Sequence, residues 1–388
     1  MDKFRGVDYY NIEDLLTDEE RMSRDMTRQF VDEQVMPIIK EHFRNGTFPR
    51  HLIPVMGAQG LFGSNLKGYG CAGISNIAYG LNMQELERGD SGIRSCASVQ
   101  GALVMYPIYT FGNETQKTHW LPKLVTGEAI GCFGLTEPDH GSDPENMTTT
   151  AKKVAGGFAL NGTKRWITNG TIADIAIVWA KLDGVIRGFL IEKGTTGFSA
   201  PEMHDKWSMR ASITSELILE NCLIPEANIL PKTDGLKSAL MCLTQARYGI
   251  AWGVIGSAKT CYQKALDYAK SCIRFNKPIA SFQLIQDKLV NMLQEITKAE
   301  LLALRLGQLK DTGEMKHTQV SLAKRNNVAA ALDIARTARG ILGANGITDE
   351  YPIGRHIANL ETVITYEGTH EIHTLIIGRD ITGISALE

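Results

Sequence analysis

Phe282-Gln-Leu-Ile285-Gln-Asp-Lys-Leu289-Val-Asn-Met292-Leu-Gln-Glu-Ile296 begins a run of apolar residues at every third or fourth position, continued by Ala299, Leu302, Leu306 and Leu309. That spacing lays one apolar stripe along a helix, and a stripe this long has to be covered by other helices. Stretches 236–271, 316–343 and 370–385 also read as helices, so residues 236–388 are expected to form an antiparallel four-helix bundle. Upstream, the periodicity changes. Between 129 and 235 short β-branched runs appear, among them Ala173–Trp179, Arg187–Ile191 and Glu216–Leu219. Gly156-Gly157 and Asn161-Gly162 read as two hairpin turns, which predicts a compact β-barrel or sandwich. Residues 1–128 return to helix: Thr17-Asp-Glu-Glu20 is a capping box, followed by Met22, Met26, Phe30, Val31, Val35 and Ile38 at helical spacing. Further helices are expected near 49–60, 74–88, 92–111 and 114–126. The fold class is therefore α+β and multidomain, in the order helices, strands, helices.

Composition narrows the function. A chain of 388 residues exceeds what one core organises, and 43% hydrophobic with 22% charged residues is ordinary for a globular protein. The net charge is −2 and the 41 basic residues are scattered, which argues against nucleic-acid and anionic-membrane partners. Seven cysteines without a CxxC pair fit reduced thiols in a cytoplasmic setting. The start, Met1-Asp-Lys-Phe-Arg5, has no apolar signal core, and no run approaches the ~20 apolar residues that cross a bilayer.

Two motifs invite a reading that their context does not support. Gly68-Tyr-Gly70-Cys-Ala-Gly73 satisfies GxGxxG, but no apolar strand precedes it and no helix starts at its glycines, so a loop between helices is expected. His370-Glu-Ile-His373 is not HExxH and has no third ligand nearby in sequence. The third, Tyr366-Glu367-Gly368-Thr369, sets a carboxylate beside a glycine hinge. Alone, Glu367 reads as a solvated helix-start carboxylate; flanked by Tyr366, Val363 and Ile364, it reads as partly buried, which raises its pKa toward that of a general base.

Far upstream, Phe133-Gly-Leu135-Thr136-Glu-Pro-Asp-His-Gly141-Ser142 supplies hydroxyls and glycine backbone, and Trp166-Ile167-Thr168-Asn169 adds an aromatic beside a threonine. In this order, these runs and Glu367 resemble the acyl-CoA dehydrogenase family, and the resemblance covers the whole chain. The matches Glu85-Leu-Glu87-Arg88, Asp90-Ser-Gly-Ile-Arg94-Ser95-Cys-Ala-Ser98, Ala246-Arg247-Tyr248-Gly249 and Thr365-Tyr-Glu-Gly-Thr-His370 are most similar to its glutaryl-CoA dehydrogenase branch.

That resemblance implies FAD as cofactor. Phe133, Leu135, Thr136, Gly141 and Ser142 would hold the flavin, with Trp166, Ile167 and Thr168 over one face of its ring. Arg274, Phe275, Gln283, Gly343, Ala344, Thr369 and Glu371 would meet the rest of the cofactor. Glu367 would remove the α-proton while flavin N5 accepts the β-hydride, and the thioester oxygen would be bound by the ribityl 2′-hydroxyl and the Glu367 amide. Arg94 and Ser98, with Ser95, would hold the distal carboxylate of a dicarboxylic acyl chain, a task suited to the planar, always-charged guanidinium. Without a substrate role, Arg94 would be a structural ion pair with Glu87 or Asp90. Glu87 would act as a salt-bridge partner or relay protons with Tyr366; Arg247, Tyr248, Ser142 and Gly368 would line the CoA and thioester path. Electrons would leave to an electron-transfer flavoprotein, and the assembly would be a homotetramer, a dimer of dimers.

The pattern breaks where the family's RxQFG run reads Cys272-Ile-Arg274-Phe275-Asn276, and where LGGNG reads Leu342-Gly343-Ala344-Asn345-Gly346. These departures keep open an oxygen-using acyl-CoA oxidase or a specialised flavoenzyme of secondary metabolism. A degenerate, non-catalytic scaffold is a third reading.

Overall fold

A computed structural model describes residues 7–386, so the Met1–Arg5 reading lies outside the described residues. The helical first part comprises α1 (Asp18–Phe30), α2 (Ile39–Asn45) and α3 (Leu52–Ala58), then a two-residue hairpin of β1 (Lys67–Gly68) and β2 (Cys71–Ala72). It continues with α4 (Asn76–Gly89), α5 (Ser91–Ser98), α6 (Tyr106–Phe111) and α7 (Glu114–Thr126). Both halves of the Thr17 capping box form. The expected helix over 92–111 is continuous but passes through π-helical turns at Val99–Met105, which separate α5 from α6. Gly68–Gly73 lies on the β1–β2 hairpin between helices, not on a strand-to-helix phosphate turn.

The middle part is β3 (Gly131–Gly134), β4 (Thr150–Val154), β5 (Gly157–Thr168), β6 (Ile175–Leu182), β7 (Val185–Glu192), β8 (Phe198–Ser199) and β9 (Thr214–Pro225). They form one seven-stranded sheet in the order β3-β6-β4-β5-β9-β8, with β7 on β6. Because β6 pairs with β3, with β7 and at its far end with β4, the sheet curls around an apolar interior that includes Leu160, Val178, Phe189, Ile191 and Leu217.

One predicted hairpin is corrected. Gly156 does turn β4 into β5, but Asn161-Gly162 sits inside β5, where the register to β9 shifts. A Cβ on Gly162 would lie 2.4 Å from Thr149 Oγ1, and its φ is +147°. The glycine therefore permits close strand approach at a bulge instead of a reversal. Asn161 Oδ1 accepts from Asn221 N (2.8 Å) across that bulge.

The last part contains α8 (Gly235–Ser271), a hairpin of β10 (Ile273–Arg274) and β11 (Lys277–Pro278), α9 (Gln283–Asp311), α10 (His317–Leu342), α11 (Ile353–Val363) and α12 (His370–Thr382). The long antiparallel helices α8, α9 and α10 share a core of Ile250, Val254, Cys261, Met292, Ile296, Val328 and Leu332. Helix α11 was not anticipated. It follows the N-cap Pro352 and buries Ile353, Leu360 and Val363 against the same core.

Candidate active site

Local sequence puts Glu87 at the end of α4 and Arg94 on α5, which begins where the Asp90 carboxylate caps Gly92 N (2.7 Å). That N-cap is fixed from α11: Arg355 Nη1 and Asn359 Nδ2 both donate to Asp90 Oδ2 (2.7 and 2.9 Å). Asn359 Oδ1 meanwhile accepts from Met209 N (3.0 Å) of the segment entering β9. A second junction runs through Gln100, whose Nε2 donates to Leu124 O and Ala129 O while its Oε1 accepts from Gly131 N of β3. The curled sheet and the helices are thus held in register by buried side-chain bonds between residues far apart in sequence.

The structure gathers Glu87, Arg94, Arg247, Tyr366, Glu367 and Gly368 into one cluster, with Ser95 and Ser98 buried on α5. Arg94 is fully buried and donates from Nε to Glu87 Oε2 (2.6 Å) and from Nη2 to the Tyr366 hydroxyl. Burial alone would lower its pKa, but Glu87 and Tyr366 more than offset that, so the guanidinium stays charged. Glu87 also accepts from Ser91 Oγ (2.8 Å). The ion pair with Glu87 weighed for Arg94 is therefore present, yet Arg94 Nη1 and Ser98 Oγ remain buried without hydrogen-bond partners.

Glu367 occupies left-handed backbone, φ +53°, between α11 and α12. Its Oε2 is out of contact with solvent and has no partner. Burial raises its pKa above the ordinary carboxylate range; Arg94, Lys324 and Arg247 oppose that rise without cancelling it. Beneath the turn, Arg247 Nε donates to Glu367 O (2.7 Å), and His373 is kept neutral, its pKa pushed down to about 3 by burial and by Lys324 and Arg247. Thr369 caps α12 by accepting from Ile372 N (3.2 Å), with Glu371 exposed in the first turn.

Other predicted residues lie elsewhere. Tyr248 donates to Asn76 O (2.7 Å), its ring 4.0 Å from Lys310 Nζ, so its hydroxyl faces the start of α4. Phe133 and Leu135 are buried at the end of β3; Thr136 and Thr168 are half-buried, while Gly141 and Ser142 sit in an exposed loop. Ile167 points into the sheet's core. Trp166 is 57% exposed at φ +63°, where β5 shifts register between Lys164 and Ile167. A bulky residue in that conformation is strained, and such strain persists where surroundings fix it for a use. Arg274, Phe275, Gln283, Gly343 and Ala344 are exposed on the far edge of the helical bundle, outside the Glu367 cluster. Gly343 (φ +59°) has open space at its Cβ position.

Sequence reading missed three groups. Lys164 and Glu137 form a buried pair (2.9 Å) that holds the Leu135–Thr136 strand end, Lys164 Nζ also donating to Leu135 O (3.0 Å). Asp90, Arg355 and Asn359 orient α5. Lys324 grips the Glu367 turn. A buried lysine carries no local signal, because its partners are brought to it only by the fold.

As to ligands, a buried carboxylate oxygen and a buried guanidinium nitrogen without protein partners, within electrostatic reach of each other, fit a molecule with polar groups. The outward-facing Trp166, with Thr136 and Thr168 half-buried nearby in the sheet, fits a planar ring carrying hydrogen-bonding edges.

Family models match the chain in three consecutive stretches. The acyl-CoA dehydrogenase N-terminal domain matches residues 17–128, the middle domain 132–222 and the C-terminal domain 233–382. An acyl-CoA dehydrogenase of Bacillus subtilis (strain 168) is 36% identical over 375 residues, spanning 95% of this chain and 99% of that protein. The crystal structure of glutaryl-CoA dehydrogenase from Mycobacterium smegmatis is similar with TM-score 0.96 and 52% identity, covering 97% of this chain and 98% of that one. A second glutaryl-CoA dehydrogenase structure from the same organism, in complex with FADH2, gives TM-score 0.97 and 48% identity over 98% of each chain. With three consecutive domain models matched and a relative 36% identical across nearly its full length, this chain belongs to the acyl-CoA dehydrogenase family.

Proposed function

We propose that this protein is an FAD-dependent dehydrogenase that oxidises the α,β bond of an acyl-CoA thioester, with glutaryl-CoA as the acyl chain its cluster favours. The observation that carries the reading is the pair of buried, unpartnered atoms Glu367 Oε2 and Arg94 Nη1. A raised carboxylate pKa suits removal of a proton made acidic by the thioester. The Glu367 amide serves the carbonyl oxygen as charge develops there, and Arg94 with Ser95 and Ser98 receives a distal carboxylate. Arg247 fixes the backbone of the base, and Glu87 with Tyr366 orients Arg94.

FAD, when bound, supplies the acceptor for the β-hydride. Trp166, Ile167, Thr168, Phe133, Leu135, Thr136, Gly141 and Ser142 would hold its ring side; Thr369 and Glu371 lie at the start of α12 beside the base. Arg274, Phe275, Gln283, Gly343 and Ala344, exposed on the bundle edge, would reach the cofactor of another copy in a homotetramer. Exposed Ile273, Phe275, Leu284 and Val290 on that edge support such an assembly. We divide the chain at 128/129 and 235/236, place it in the cytoplasm and expect an electron-transfer flavoprotein as acceptor. The departures at Cys272, Asn276 and Ala344 favour a second reading, an oxygen-using oxidase, which would release hydrogen peroxide steadily without an added acceptor.

Anaerobic titration of the FAD-loaded protein with glutaryl-CoA and butyryl-CoA, following flavin bleaching and product mass, tests this. Glutaryl-CoA should bleach preferentially, and a product lighter by carbon dioxide would show that decarboxylation follows; preference for butyryl-CoA would defeat the carboxylate role of Arg94. Glu367→Gln should retain the yellow colour and slow bleaching by roughly 10²–10⁴-fold; wild-type bleaching would remove Glu367 as the base.

A further inference from the structure

We propose that Lys324 is a positioning residue for the proton-abstraction step, gripping the backbone on both sides of Glu367 so that the carboxylate is presented to the substrate. This rests on the reading of Glu367 as the base. Lys324 lies on α10, is 1% exposed, and donates from Nζ to Tyr366 O (2.7 Å) and to Gly368 O (2.6 Å). With Arg247 Nε on Glu367 O (2.7 Å), three consecutive carbonyls end on two buried basic side chains. These three carbonyls accept from side chains instead of from the backbone N–H groups of a helix or strand, and Glu367 and Gly368 have φ of +53° and +94°.

A non-glycine residue in left-handed backbone costs about 1–2 kcal/mol and persists where neighbouring contacts over-determine it. Arg247 alone fixes the middle carbonyl and leaves the two flanking peptides free to rotate. Lys324 removes that freedom, since one ammonium with three rotatable donors can span two acceptors. Its own placement is firm: one turn along α10, Asn327 Nδ2 donates to Ala251 O of α8 (2.9 Å) and Ala299 O of α9 (3.3 Å). On the other side, a Cβ on Gly368 would lie 2.9 Å from His373 Nε2, so the turn is closed from α12 as well.

Charge adds to geometry. The titratable and charged groups around Glu367 are Arg94 from α5, Arg247 from α8, Lys324 from α10, His373 and His370 from α12, Tyr79 and Glu87 from α4 and neighbouring Tyr366. Of these, Arg94, Lys324 and Arg247 pull the carboxyl pKa down against burial. Removing the lysine should therefore move the pH at which the base ionises upward, a change that loosened packing alone would not produce.

The test uses the FAD-loaded full chain carrying Lys324→Met, Lys324→Arg or Glu367→Gln. K324M should slow bleaching roughly 10- to 100-fold while substrate affinity changes less than about threefold, with the acid limb of the pH–rate profile displaced upward. K324R, which keeps donors and charge, should recover part of the rate. Wild-type bleaching in K324M overturns the proposal, as does a slowed K324M with an unmoved acid limb and no recovery in K324R. Should K324M fail to fold, Lys324→Gln, one atom shorter and uncharged, carries the same readouts. Glu367→Gln separates the two readings: if it bleaches normally, the base assignment fails and the role of Lys324 falls with it; if it is slow while K324M is normal, only the Lys324 role fails.

Discussion

Around the Glu367 turn, Arg94, Arg247 and Lys324 are each at most 8% exposed, and each is bonded to groups from other elements. On the edge formed by residues 272–283, Phe275 is 88% exposed and Arg274 Nη1 donates to Ile273 O, its own neighbour. The first region draws its hydrogen bonds from within one chain. The second holds the apolar Phe275 and the polar Asn276 at positive φ, +49° and +63°, beside the cationic Arg274, all three exposed. The residues proposed for bond breaking are thus fixed by folding, whereas the edge lies open on the single chain. The contrast says which mutations should damage stability and which should spare it.

The largest expected effect is Arg94→Met. It leaves Glu87 charged and buried, which costs about 3–5 kcal/mol of stability. Because it also removes a charged hydrogen-bond donor, turnover of glutaryl-CoA should fall roughly 10- to 150-fold more than that of butyryl-CoA. Equal losses on the two substrates would reduce Arg94 to a scaffold. Arg355→Met comes next. It strips Asp90 of its cation while Asn359 remains, and chemical denaturation should show a loss of about 3 kcal/mol or more, with a smaller loss of activity through α5. A neutral result would mean that the interior tolerates loosening and would erase the contrast.

A pH experiment sharpens it further. Burial would raise the Glu137 pKa, but Lys164 and the Thr148 and Thr149 donors win, holding it at about 2 against an ordinary 4.5. The folded pKa being the lower one, this carboxylate stabilises the fold above about 4.5, and the contribution is lost as pH falls toward 2. Glu137→Gln should therefore be less stable than the wild type at neutral pH, with the gap closing in acid; a constant gap in Tm would contradict the linkage. The smallest effect on folding belongs to Arg274→Ala, within about 0.5 kcal/mol. Its FAD affinity should nevertheless fall roughly tenfold or more if the guanidinium meets a phosphate in the assembly. Unaltered affinity would leave that edge without a cofactor role.

The helix–strand–helix order was legible because each part repeats its own period over many residues, as from Phe282 to Leu309. Helix α11 escaped because eleven residues following a proline offer barely three turns of pattern. Asn161-Gly162 misled because the dipeptide that favours a hairpin also suits a bulge, and only Thr149, packed against it, decides between them. Glu367, the proposed base, was marked by its tyrosine and glycine neighbours together with the family resemblance. Lys324 and the Asp90–Arg355 pair were not, since 42 and 265 residues separate the partners and nothing short of the folded chain joins them.

Helix α11 touches all three parts of the protein at once: Arg355 and Asn359 reach Asp90, Asn359 and Thr362 reach Met209 and Ser208, and Ile353, Leu360 and Val363 belong to the bundle. Heat applied to such a molecule has no stepwise route, because losing any one segment takes away a wall on which the other two lean. A scanning calorimeter should accordingly record a single cooperative endotherm from a chain that its sequence divides into three.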